Sequence, residues 1–216
     1  MEKEFNEKDE KNLKGISKAI WIIAKICRIF MMIGVVCIGL VMLILPAFIS
    51  KIEINDNTIR IEGVEEVIKL EDIKPDNKDA KIVVSKISDV FNNNSRVTIT
   101  LFAELAIAII VVDLIIYIII FKYLEKIFKN IDNEDTPFTF ENSENLRKVA
   151  WLLVASIGVG VIINIVINLL LRTDSGLNIS LVGVIEALFV FSMAYVFKYG
   201  ATIKETKALK KGKKDE

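Results

Sequence analysis

Histidine is absent from the 216-residue chain. Its absence excludes imidazole acid–base catalysis, histidine metal ligation and imidazole pH switching. Cysteine occurs twice, at Cys27 and Cys37, within one apolar run. Ten residues apart on a helix, the two lie roughly 15 Å from each other, beyond the reach of a disulfide. They read as packing residues, with palmitoylation of Cys27 as the alternative. Net charge is also missing, because 28 basic residues balance 28 acidic ones. No global field draws the chain to nucleic acid, and no direct nucleic-acid binding is expected. There is no nucleophile set beside a base, no metal-ligand spacing and no glycine-rich phosphate loop, so neither an enzyme nor a cofactor is expected.

What the chain has in abundance is hydrophobic sequence. Hydrophobic residues make up 53% of it beside 26% charged residues, and the two classes alternate in long blocks. Such segregation predicts membrane spans rather than a globular core. Four apolar runs fall at about residues 29–49, 99–121, 149–171 and 179–197, each close to the 20 residues needed to cross ~30 Å of hydrocarbon. The fold class expected is all-α, a transmembrane four-helix bundle with a small extracytoplasmic cap between spans 1 and 2. Residues 1–18 are a polar lead that should fray, and residues 198–216 a lysine-rich tail. The first run lacks a small-residue cleavage site and should be retained. Lys25 and Arg28 lie at its inner edge, where long basic side chains snorkel, and Pro46 should kink or end its helix.

Residues 51–97 form the long polar interruption. There KIEI and TIRI alternate around NDN, the pattern of a hairpin. Ile82, Val83, Ile87, Val90 and Phe91 have the spacing of a short amphipathic helix. A segment of this size is too small for an independent core, so a cap packed on the bundle mouth and a partly ordered loop both stand.

The charged hinge at residues 122–148 is the most distinctive stretch. Leu124, Ile127, Phe128 and Ile131 recur at helical spacing. Pro137 biases Thr136 towards extended backbone, so this helix should stop near Asn133. Thr139 is placed to cap a helix starting at Phe140, with Glu141 and Glu144 complementing the positive end of its dipole. Phe138 and Phe140 set two aromatic rings in a charged segment, where they must bury against the bundle, lipid or a partner. A surface linker and a partner-docking site are both consistent with this composition.

The hinge sequence IFKNIDNEDTPFTFENSENLRKVAW, with the later FKYGATIKE, resembles an uncharacterised family of small bacterial four-span membrane proteins, classed as a domain of unknown function. Phe128, Asn130, Pro137, Phe138, Thr139, Glu141, Asn142, Leu146 and Arg147 carry the resemblance. It implies a multi-pass protein of the bacterial cell membrane and no transferable activity. Members are often encoded beside a small Cro-like helix-turn-helix repressor, and the resemblance thereby implies a regulatory partner. The lysine run after Glu205 departs from the more acidic ending that the resemblance implies.

Orientation follows from basic residues near the span ends. Residues 1–28 hold seven, 122–148 five and 198–216 seven, against eight in 51–98 and one in 172–178. The short segments weigh most, and the bias places both termini and the hinge in the cytoplasm.

Within the spans lie Glu104, Asp113 and Glu186, and Ser156, Gly160, Asn164 and Asn168 recur every four residues. Glu104 and Glu186 should lie roughly 8–10 Å below the outer surface, with Asn164 and Asn168 rising to about 10 and 5 Å. A carboxylate in hydrocarbon costs about 2.5–3.5 kcal/mol on insertion scales, so these groups should turn towards the bundle. Asp113 sits about half a helical turn around from Glu104, so one of the two should pair with a different helix or snorkel. Two readings stand side by side: a cation, proton or sensor site, and interhelical packing with Gly160 permitting close approach.

The function expected is a regulatory or sensory accessory protein with a cytoplasmic docking hinge. The competing class is a small transport or immunity protein using the intramembrane carboxylates. The lipid bilayer, a small helix-turn-helix regulator and a second copy of the chain in a homo-oligomer are the expected partners.

Overall fold

The computed structural model describes residues 7–55, 58–61, 68–69, 96–133, 136–171, 176 and 179–212. Four helices dominate it: α1 (Glu7–Ser50), α2 (Arg96–Asn133), α3 (Phe140–Leu171) and α4 (Leu181–Gly212). Each contains a stretch long and apolar enough to cross a membrane. The chain is a multi-pass membrane protein whose helices contact lipid. Their outward apolar side chains, such as Phe30, Leu43 and Leu181, are exposed as lipid-facing residues must be.

The helices overrun the hydrocarbon. At 1.5 Å per residue the 44 residues of α1 extend roughly 66 Å, about twice the bilayer core. The lead expected to fray is helical from Glu7, and Ser17 and Ala24 are buried. A polar segment next to an apolar span inherits an already nucleated helix, so it needs no nucleus of its own. The helix also does not end at Pro46; it runs on to Ser50, whose hydroxyl donates to the Ala47 carbonyl at 2.9 Å. At the other end of the chain, α4 carries the lysine-rich tail as helix to Gly212.

The residues group into two compact units. The first comprises Met1–Gly34, Asp113–Gly158 and Ile179–Glu216. Parts of all four helices pack there, in sequence order. Its buried apolar side chains are small or branched: Ala24 from α1, Ile120, Ile127 and Ile131 from α2, Val149 and Ala150 from α3. From α4 come Ala187, Ala194 and Ala201, spaced by seven residues, a seam of small side chains along which a neighbouring helix approaches closely. The Ser143 hydroxyl of α3 donates to the Ala194 carbonyl at 2.8 Å and fixes that approach.

The second unit comprises Val35–Val112 and Val159–Asn178. It holds a three-stranded antiparallel sheet, β1 (Ile52–Asn55), β2 (Thr58–Ile61) and β3 (Ile68–Lys69), in the order β1-β2-β3. The hairpin pairs Ile52 with Ile61 and Ile54 with Ile59, the register that the alternating isoleucines favour. The third strand, pairing Ile59 with Ile68, has no counterpart in the sequence expectations. The amphipathic helix expected over Ile82 to Phe91 lies outside the described residues.

Candidate functional site at the α2–α3 connection

The hinge motif builds a tightly determined helix–helix connection. α2 ends at Asn133 with Ile127 and Ile131 buried and Phe128 half-buried. Beyond it the Thr136 hydroxyl accepts from the Phe138 amide at 3.2 Å, a local turn that suits the residue before a proline. Thr139 then caps α3: its Oγ1 accepts from the Asn142 amide at 3.1 Å, and its carbonyl accepts the first helical bond from Ser143.

Asn142 is the keystone, with 0% of its surface exposed. Its Oδ1 accepts from Asn130 Nδ2 on α2 at 3.1 Å, and its own Nδ2 donates to the Pro137 carbonyl at 3.0 Å. One buried amide thus joins the last turn of α2, the bend and the first turn of α3. Buried amides require partners, so this geometry is costly to leave.

Phe138 extends the connection to α4. Its ring meets Phe197 edge-on with centroids 5.3 Å apart. A β-carbon built on Gly200 would lie 2.7 Å from the same ring. The two separated parts of the motif, PFT in the hinge and FKYG in α4, therefore touch, and glycine is needed at that contact.

Opposite charges tie the same unit together. Arg28 Nε of α1 lies 3.1 Å from Glu125 Oε1 of α2, with both side chains largely buried. Arg28 thus reaches a neighbouring helix rather than only snorkelling. The N–H is not aligned for a hydrogen bond, and both atoms lack such a partner among the described residues, as does Asn145 Nδ2. The contact is an ion pair held by proximity. Lys126 and Lys148 lie within 6 Å of the Tyr123 ring centre, at 5.9 and 5.7 Å, so α2 and α3 share a cation–π contact.

The outer face of the connection is different. Phe140 and Glu141 are exposed, and Glu144 lies 3.8 Å from Arg147 and 3.5 Å from Lys148. A cavity of about 210 Å³ opens between α3 and α4, lined by Phe140, Glu144, Arg147, Phe191, Tyr195 and Lys198 among others. Trp151 stands edge-on to Phe191 with centroids 5.4 Å apart.

The intramembrane polar residues divide between the units. In the first, the Ser156 hydroxyl donates to Asp113 Oδ1 at 2.6 Å, the length of a bond to a carboxylate. Glu186 is exposed on α4. In the second unit, Asn164 donates to the Gly160 carbonyl at 2.9 Å, and Glu104 is half-buried on α2. Asn168 is half-buried on α3 in that unit. A β-carbon at Gly160 would meet nothing within 4 Å among the described residues, so none of them approaches this glycine closely. The close approaches are instead at Gly200 and at Gly183, the latter 3.1 Å from Ile157.

Sequence reasoning singled out Asn130, Pro137, Phe138, Thr139 and Asn142 but missed Gly200, Ser143 and the Arg28–Glu125 pair. The alanine repeat at 187, 194 and 201 was a readable signal for how α4 packs. No curated protein and no solved structure matches the chain. Residues 68–209, which take in β3, α2, α3 and most of α4, match the family described as Protein of unknown function (DUF2975), and the chain belongs to that family.

Proposed function

We propose that the protein is a non-enzymatic regulatory or sensory accessory protein of the bacterial cell membrane. In this reading both termini and the hinge face the cytoplasm, and the segment between α1 and α2 faces the other side of the membrane. The outer face of the α2–α3 connection docks a soluble partner, a small helix-turn-helix repressor. The observation that carries it is the contrast at the hinge. Asn142 is wholly buried and bonded on both sides, so the connection is rigid, whereas Phe140 stands 46% exposed on its outside next to the exposed Glu141. An aromatic ring beside a carboxylate on a rigid support suits a basic DNA-binding surface, and docking there would withhold the repressor from its operator.

The Phe140→Ala/Glu141→Lys variant tests this. Phe138 serves as the control, because its ring packs on α4. Full-length protein in detergent, incubated with extract of the cells it comes from, should retain a small helix-turn-helix repressor, and the variant should lose most of it while still inserting. A second reading, transport or immunity through Glu104, Asp113 and Glu186, is favoured by the Ser156–Asp113 bond inside the spans. Equal recovery of the repressor by both proteins, or none by either, would leave the hinge as a structural linker and remove the main support for the regulatory reading.

A further inference from the structure

We infer that the cavity between α3 and α4 binds the headgroup of an anionic phospholipid, phosphatidylglycerol in chemistry, from the leaflet on the hinge side. This does not rest on the docking of a soluble partner, although Phe140 borders both surfaces. Arg147 and Lys198 line the cavity and stand where the apolar stretches of α3 and α4 give way to charge. That level is where lipid phosphates lie. Basic pockets between membrane helices at this depth bind anionic headgroups, and exposed aromatic side chains mark the same boundary. Trp151 and Tyr195 are both exposed there, Tyr195 by 72%.

The charges in the cavity do not cancel. Glu144 is shared between Arg147 and Lys148 at 3.8 and 3.5 Å, and Lys198 has no ion pair among the described residues. Two cations on the cavity wall thus face one carboxylate already engaged twice. A phosphodiester satisfies the surplus. Glu144 would be a poor seat for a third cation, which disfavours an ethanolamine headgroup, but its oxygens can still accept from hydroxyls. A phosphate joined to a hydroxylated head fits both requirements. Leu188, Phe191 and Tyr195 fall on one face of α4 and give an acyl chain an apolar track from the cavity into the bilayer. The volume of about 210 Å³ is well above the roughly 10–15 Å³ of such space that holds one water molecule. This also gives Arg147 a role that the hinge hydrogen bonds leave unexplained.

Trp151 is a built-in reporter. The full-length protein carrying Trp21→Phe is placed in phosphatidylcholine vesicles containing increasing fractions of brominated phosphatidylglycerol, phosphatidylethanolamine or phosphatidylcholine, and tryptophan quenching is recorded. Quenching should begin at the lowest fraction with phosphatidylglycerol. Arg147→Gln with Lys198→Gln should reduce that preference by about fivefold per cation removed. Both side chains are exposed, so the fold should survive, and the charge-preserving pair Arg147→Lys with Lys198→Arg should keep the preference. Three results would overturn the assignment: equal quenching by all three lipids, preference for phosphatidylethanolamine, or loss of preference in the charge-preserving pair. Relief of quenching by millimolar soluble glycerophosphate would equally overturn it, by making the cavity a site for a free phosphate ester.

Discussion

Two glycines in similar helical surroundings have opposite roles. At Gly200 an added methyl would press on the Phe138 ring at 2.7 Å, whereas at Gly160 it would meet nothing within 4 Å among the described residues. Gly200→Ala is therefore expected to lower stability by about 1–3 kcal/mol through overpacking, despite the better helix propensity of alanine. Gly160→Ala should be neutral, or stabilising by up to about 1 kcal/mol. Thermal unfolding of both variants in one detergent, followed by circular dichroism, checks the contrast; equal melting temperatures would refute it. Sequence periodicity shows which residues share a face of their own helix. It does not show which face a neighbour covers, and for that reason Gly160 drew the attention that Gly200 deserved.

The connection between α2 and α3 is held at two strengths. Thr139 supplies a cap bond at the rim, worth about 1 kcal/mol when replaced by alanine. Asn142 supplies two buried bonds. Asn142→Ala would strand the Asn130 amide and the Pro137 carbonyl at about 1–3 kcal/mol for each group left unpaired. Hydrogen exchange at the amides of residues 140–146 should accelerate modestly in Thr139→Ala and much more in Asn142→Ala. The reverse order would mean that the cap, not the buried amide, sets the geometry. The helix end at Asn133 and the cap at Thr139 were legible in advance, because proline and threonine act on their immediate neighbours. The Asn130–Asn142 bond was not, since it joins residues twelve apart across a bend. The helical character of the lead was likewise hidden, because burial of Ser17 and Ala24 depends on which helices lie beside them.

For the whole molecule, four spans could be read from length and composition alone, since hydrocarbon imposes its thickness on any sequence that crosses it. The small sheet was half legible: the isoleucine alternation gives β1 and β2, while the two residues of β3 are too few to show a period. The proposed orientation has its own test. In a background carrying Cys27→Ser and Cys37→Ser, single cysteines at Asn77 or Asn93 should react with a membrane-impermeant maleimide on intact cells. Cysteines at Asn133 or Lys210 should react only after lysis, and labelling of Asn133 from outside would invert the topology. The Arg28–Glu125 pair adds a dimension of time to this picture. Arg28 leaves the ribosome roughly 5–20 s before Glu125 at ordinary rates of synthesis. Throughout that interval Arg28 lacks this partner, so the contact between α1 and α2 cannot form until the second span has been made. Once α2 is made, the same charge closes on Glu125 at 3.1 Å, so the clamp between the first two helices dates from the synthesis of the second.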